Sequence, residues 1–495
     1  MQIILNGPLI SSNYYMKDTD ILSLTTDDRH RLWQKLYESI ETYISNVSEG
    51  PVTPELNPEK LRDILSKITF EQATDPVETI DFITKGLSQY QTHTPHPRYF
   101  GLFNPAPTTM GIAADAIVAA FNPQLAAWSH SPLAIEIEHH LVRLLAGRFG
   151  FNPAEVDGTF TSGGAEANHT AVLTALSNTF PDYGRYGLQS ISQKPSLYVS
   201  KESHHSFLKA AKNSGLGTDA LREIPVNERY ETDTILLSQI IQEDKDNGYK
   251  PFMIVANAGT TNAGIIDPIN EIAQIAEREN IWFHVDAAWG GAAALIPELR
   301  DLLKGIHRAD SLTFDAHKWL SVPMGAGIYI TRHKEILTQT FGMATNYMPK
   351  EAAGLDVIDP FNHSIQWSRR FIGLKVFLSL MAAGWDGYAK ALRHQKKMGD
   401  FLRDALIKNG WEVVNNTPLP IVCFVDNEHE DGRSEIFLSL VSRTIVKSGD
   451  AWISTTMLNG NKPVLRACIT NYKTTEQDVS FLVQKINSVR ENYFR

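Results

Sequence analysis

Residues 252–286, FMIVANAGTTNAGIIDPINEIAQIAERENIWFHVD, limit the fold of this chain more than any other stretch. FMIVAN (252–257) and IWFHVD (281–286) are apolar runs of strand length, and between them Ile269, Ile272, Ile275 and Ala276 recur at helical spacing. Asp267 is placed to cap that helix, with Pro268 at its first position. Strand, helix and strand within 35 residues make a crossover unit, which requires a parallel sheet packed on both faces. SLYVS (196–200), SLTF (311–314) and GAGIYIT (325–331) add further short strands, so the middle of the chain reads as α/β.

The flanks read differently. Over 27–47, Leu32, Leu36, Ile40 and Ile44 mark an amphipathic helix, followed by a Pro-containing linker and another helical pattern. This predicts an N-terminal helical arm over 1–90, before a large α/β domain over 91–380. Beyond it, a helix precedes WEVV, IVCFVD and PVLRACIT, and a last helix starts near 474. A smaller α+β domain over 381–495 is expected.

Composition narrows the function classes. A net charge of −10 argues against nucleic-acid binding, which usually shows a basic excess. The two cysteines, Cys423 and Cys468, are far apart and form no CxxC-type pair, which points away from a disulfide framework and toward a reducing cytoplasm. The opening MQIILNGPLISSNYYMKDTD lacks a basic region before an apolar core, and no run reaches the roughly 18 apolar residues of a membrane span. A cytoplasmic protein without a membrane partner is expected.

In open α/β sheets, ligands bind beyond the carboxyl ends of the strands. TSGGAEANHTAVLTAL (161–176) puts two glycines at a helix start, where backbone N–H groups approach a phosphate; no GK[ST] follows, so it is not a Walker loop. An ordinary tight turn is the plainer reading of those glycines. YVSKESHHSFLKAA (198–211) places His204 and His205 past a strand, with Ser203 as a helix cap and an imidazole suited to stacking on a planar ring. Adjacent histidines point apart on a helix, which argues against a zinc pair, and no metal is expected. In WFHVDAAWGG (282–291), Asp286 ends a buried strand and needs a cationic partner, whether a ligand or a structural arginine. FDAHKWL (314–320) supplies Lys318, which is a surface charge, an ion-pair partner or a nucleophile. Pyridoxal 5'-phosphate suits all four features together: aldehyde to lysine, ring nitrogen to carboxylate, phosphate to helix start, ring to imidazole.

The chain resembles the group II pyridoxal-phosphate-dependent amino acid decarboxylases, which include glutamate, cysteine sulfinate, diaminobutyrate and aromatic amino acid enzymes. The resemblance runs from about residue 50 to the C-terminus, through HPRYFGLFNP, WSHSPLAIEIE, TSGGAEAN, AGTTNAGIIDPI, HVDAAWGG, DAHKWL and SRRFIGLKVF. It implies a fold-type I enzyme, generally a homodimer whose arm clasps the partner. It implies Lys318 as the Schiff-base lysine, Asp286 as the ring-nitrogen partner and His204, rather than His205, as the stacking imidazole. Gly164 and Ala165 match the phosphate turn, and Thr261, Ala288, Asp315 and His317 match further cofactor contacts. Ala165 departs from the hydroxyl often found there and implies backbone contact.

Tyr347, in FGMATNYMPKEAAGLDVIDP, matches the position where decarboxylases keep a tyrosine and aldehyde-forming relatives carry phenylalanine. The implied activity is α-decarboxylation of an L-amino acid through a quinonoid intermediate, with Tyr347 and His204 delivering the proton to Cα. The alternatives are an aldehyde synthase or carbon–carbon lyase on the same scaffold, or a catalytically silent homologue with a binding role. Phe103 and Asn104 match a stretch that lines the substrate pocket in relatives. Arg98 reads as structural, and Arg466 stands where many fold-type I enzymes hold a carboxylate.

Overall fold

The computed structural model describes residues 22–103, 105–345, 348 and 354–495. Seven strands form the large sheet: β1 (Asp157–Thr161), β2 (Pro195–Ser200), β3 (Leu221–Ile224), β4 (Lys250–Asn257), β5 (Trp282–Asp286), β6 (Ser311–Asp315) and β7 (Gly327–Thr331). Their order is β1-β7-β6-β5-β4-β2-β3. From β3 to β6 every pairing is parallel, while β7 runs antiparallel between β6 and β1. The sheet is thus mostly parallel, with one reversed strand that apolar patterning does not distinguish. Nearly every strand residue is buried, as crossover helices on both faces require.

The crossover from β4 to β5 uses helix Ile269–Glu279, which buries Ile269, Ile272, Ala273, Ile275 and Ala276. Two expected caps are different. Pro268 occupies the cap position of this helix with no side-chain hydrogen bond, and Asp267 instead turns its carboxylate inward. Asp267 accepts from the amide and hydroxyl of Thr232 (both 2.8 Å) and from the backbone and side-chain nitrogens of Asn257 (both 2.7 Å). Four donors make it a better brace for two loops than a cap, although burial still pushes its carboxyl upward. Likewise His205, not Ser203, precedes helix Ser206–Asn213, and the Ser203 hydroxyl accepts from Asn257 at 3.0 Å.

A second, antiparallel sheet holds β8 (Trp411–Val413), β9 (Ile421–Asp426), β10 (Ser454–Leu458) and β11 (Lys462–Cys468) in the order β10-β11-β9-β8. β10, read STTML, was not evident from composition because it is a polar edge strand with alternate residues exposed. The large sheet packs apolar clusters on both faces, around Phe160 and Phe314 on one and around Phe207 and Val255 on the other, while the second sheet packs around Phe424, Phe437 and Leu465. Helix Gly373–Lys408 links them and is broken at Gly384, whose φ of 62° is open to glycine.

Helices Thr26–Asn46, Pro58–Ser66 and Pro76–Tyr90 form the arm. Each has a side-chain cap, from Thr25, Asn57 and Asp75, and none contains a fully buried residue.

Candidate active site

Lys318 stands in the turn after β6. The turn is pinned to the start of β7: Ala316 donates to the Ala326 carbonyl at 2.8 Å, and the Ala326 amide donates to His317 Nδ1 at 3.1 Å. Its Nζ lies 2.9 Å from Asp315 Oδ2, with the lysine side chain 23% exposed and that of Asp315 1%. The second oxygen of Asp315 is buried without a hydrogen-bond partner. Phe103 lies beneath, its ring centre 5.8 Å from Nζ, and packs on Trp289 at 4.6 Å. Lys318 is therefore an ion-pair partner in this state. Its amine is only partly covered and faces an open cavity.

Asp286 ends β5, whose register places Asn257 of β4 and Thr313 of β6 beside it. A buried strand-end carboxylate suggests an arginine, but among the described residues none pairs with Asp286. Instead Asp286 Oδ2 accepts from Asn168 Nδ2 at 2.8 Å and Oδ1 from the Ala288 amide at 3.1 Å. Two neutral donors offset part of the cost of burying a charge, and among the described residues no cation pairs with it.

The third wall is the start of helix Gly164–Thr179, which has no side-chain cap. Among the described residues the amides of Gly164 and Ala165 have no acceptor, so two donors at the positive end of a helix dipole face the cavity. A Cβ on Gly164 would stand 2.7 Å from Asp315 Oδ2, so glycine is needed for this approach. Glu166, in the same first turn, also lines the cavity, with its carboxylate taken up by Ser162 (amide 2.9 Å, hydroxyl 2.7 Å) and Gln366.

These walls enclose a cavity of about 300 Å³. Gly164, Ala165, His204, Thr261, Asp286, Ala288, Asp315, His317 and Lys318 all line it. Burial holds His204 below the usual imidazole range, opposed by the charge of Asp286 and reinforced by that of Lys318. Its Nδ1 accepts from the Ser206 amide at 3.2 Å. His317 is lowered by burial too, against the pull of Asp315.

Asn104 and Tyr347 lie outside the described residues. Arg98 is remote, 3.7 Å from Asp478 and stacked on Phe481. Arg466 is buried and donates to the carbonyls of Thr261 (3.1 Å) and Gly101 (2.8 Å), bracing a site loop from the second sheet.

Asn168, Asn257, Thr260, Trp289 and Met324 also line the cavity and were not singled out from sequence. Asn168 had a readable signal: it stands four residues after Gly164, hence on the same helix face.

Residues 58–426 match the family described as "Pyridoxal-dependent decarboxylase conserved domain". The chain is 32% identical over 477 residues to an aromatic-L-amino-acid decarboxylase of Bacillus atrophaeus, covering 95% of this chain and 97% of that protein. It is 29% identical over 425 residues to the acidic amino acid decarboxylase GADL1 of Xenopus tropicalis, covering 85% and 80%. A crystal structure of Oryza sativa TDC with PLP and tryptamine superposes with a TM-score of 0.89 at 25% identity, covering 95% of this chain and 99% of that one.

Proposed function

The chain belongs to the pyridoxal-dependent decarboxylase family, amino acid carboxy-lyases that work with pyridoxal 5'-phosphate, and from that premise we propose which of its residues hold the cofactor and carry the reaction. Lys318 is the covalent anchor, and Asp286 is the partner of the ring nitrogen. The free amides of Gly164 and Ala165 bind the phosphate, and His204 stacks on the ring. One observation carries this reading: Lys318, Asp286 and the uncapped helix start reach one 300 Å³ cavity from three sides. The residues fit the group. A carboxylate held only by neutral donors, a partly exposed lysine and two unused amides are what an aromatic cation with an aldehyde and a phosphate requires.

When bound, the cofactor supplies an electron sink for the pair released as the substrate carboxylate leaves as carbon dioxide. The protein's part is placement and proton control. Asp286 keeps a proton on the ring nitrogen, an electrostatic contribution already in place before reaction. Asp315, 2.9 Å from Nζ, positions the Lys318 side chain at the cavity. Tyr347, together with His204, delivers the proton to the substrate's Cα. Phe103 and Asn104 contribute to the substrate side.

Relatives bear names for aromatic and for acidic substrates, so the test is a screen of acidic, basic and aromatic L-amino acids. Carbon dioxide and amine in equal amounts, without ammonia or peroxide, are expected. Ammonia and peroxide in step with carbon dioxide would assign the chain to the aldehyde-forming branch instead.

A homodimer is the proposed assembly. Trp33 (57% exposed), Tyr37 (65%), Phe82, Ile83 and Leu87 stand exposed on the arm, and Phe121 and Leu133 on the body, a larger set of rings and aliphatics than a lone chain usually leaves to water. Two buried, unbridged thiols, Cys423 and Cys468, support a cytoplasmic setting. No described helix is long and apolar enough to cross a membrane. A division into arm (1–90), large domain (91–380) and small domain (381–495) is supported by the cluster packed around the second sheet and by the break at Gly384.

A further inference from the structure

We infer that Trp282, Ser311, His284 and Asn168 form a positioning chain that fixes Asp286 as a pure proton acceptor toward the ring nitrogen. The inference rests on Asp286 being that nitrogen's partner.

The direction of the chain follows from its chemistry. The Trp282 indole can only donate, and it donates to Ser311 Oγ at 2.9 Å. The Ser311 proton is then free for His284 Nδ1, 2.8 Å away. With Nδ1 accepting, the neutral ring carries its proton on Nε2, which lies 3.3 Å from Asn168 Oδ1 and 3.4 Å from Thr313 Oγ1. Asn168 Oδ1 thus accepts, and its Nδ2 protons go to Asp286 Oδ2 (2.8 Å) and Ser206 Oγ (2.9 Å). A flipped amide would set an oxygen against the carboxylate. Every proton in the chain therefore points toward Asp286.

Two features make this more than satisfied burial. His284 is wholly buried, and burial drives its imidazole down to about 4, so it stays neutral where the cofactor works. A charged imidazole there would compete with the ring nitrogen for the carboxylate; a neutral dipole orients Asn168 without competing. An amide between the two also cannot pass a proton to Asp286. Asn168 thus insulates the carboxylate while holding one of its oxygens still.

The test uses full-length protein loaded with cofactor labelled with 15N in its ring, comparing wild type with His284→Phe, His284→Gln, Ser311→Ala and Asp286→Asn. His284→Phe keeps an aromatic ring and removes the ring's hydrogen bonds to Ser311, Asn168 and Thr313. It is expected to lower kcat about 10- to 100-fold with KM little changed, the usual scale for orienting partners one layer out. Its ring-nitrogen resonance should move toward the unprotonated position. Ser311→Ala should move both in the same direction by less, and decides the matter if His284→Phe fails to fold. His284→Gln, which retains a donor toward Asn168, should restore most of the loss. A wild-type resonance in cofactor-loaded His284→Phe or, if that variant fails, in Ser311→Ala would overturn the chain, even if activity fell. If Asp286→Asn also left the resonance unmoved, the assignment of Asp286 itself would fail, a distinguishable result.

Discussion

The crevice at the carboxyl ends of β4, β5 and β6 and the three helices of the arm treat exposure in opposite ways. In the crevice, carboxylates are buried and charged groups find partners within the chain: the partly exposed Lys318 meets Asp315, and Asp286 meets Asn168 and the Ala288 amide. On the arm, large rings such as Trp33 and Tyr37 face water and find none. Burying a charge is costly unless polar partners are in place, so a chain that keeps one has built them in. Exposing a ring is costly too, but a second copy can cover it. The crevice thus points to chemistry and the arm to assembly.

Removing the crevice's nucleophile should break the contrast most sharply. Lys318→Ala is expected to reduce carbon dioxide formation at least about a thousandfold, because a covalent anchor has no substitute in the site. Its size-exclusion mass should match wild type, since Lys318 is far in role from the arm. The converse change, Trp33→Glu with Tyr37→Glu, places charge on the exposed arm face. Light scattering should report half the wild-type mass, while far-ultraviolet circular dichroism should be retained because neither side chain is buried. A wild-type mass would assign that face to something other than assembly.

The smallest expected effect concerns pH. Burial lowers His284 from 6.5 to about 4 in the folded chain. Between those values the unfolded chain binds the extra proton, so this stabilising contribution is complete above about pH 6.5 and is lost as pH falls toward 4. Denaturant unfolding should show about 2 kcal/mol less stability at pH 5 than at pH 8 from this group alone. The difference between wild type and His284→Phe isolates it, because the variant lacks the titrating ring. Equal slopes for the two would show that folding does not change the proton affinity of His284.

How much of this was legible in the sequence depends on how local each signal is. Lys318 and Asp286 were legible because one closely follows an apolar strand and the other ends one, and strand length and ending are short-range features. Gly164 and Ala165 were legible because small residues preceded a helical pattern. Asp267 and Ser203 were misjudged as caps because their spacing suits a cap equally well. Only the fold shows that Asn257 offers both of them donors from another strand. The reversed strand β7 has the same apolar alternation in either direction. His284 was in view, two residues before Asp286 and so on the same strand face. What it touches, Ser311 from β6 and Asn168 from a helix start, depends on register that no single stretch encodes.

The central claim is that Lys318 holds the cofactor, and chemical reduction tests it most directly. Cofactor-loaded protein is treated with borohydride, digested and mapped by mass spectrometry, alongside Lys318→Ala. A pyridoxyl mass on the peptide containing Lys318, absent from the variant, is the predicted result. The same mass on a different lysine, or its persistence in the variant, would contradict the account.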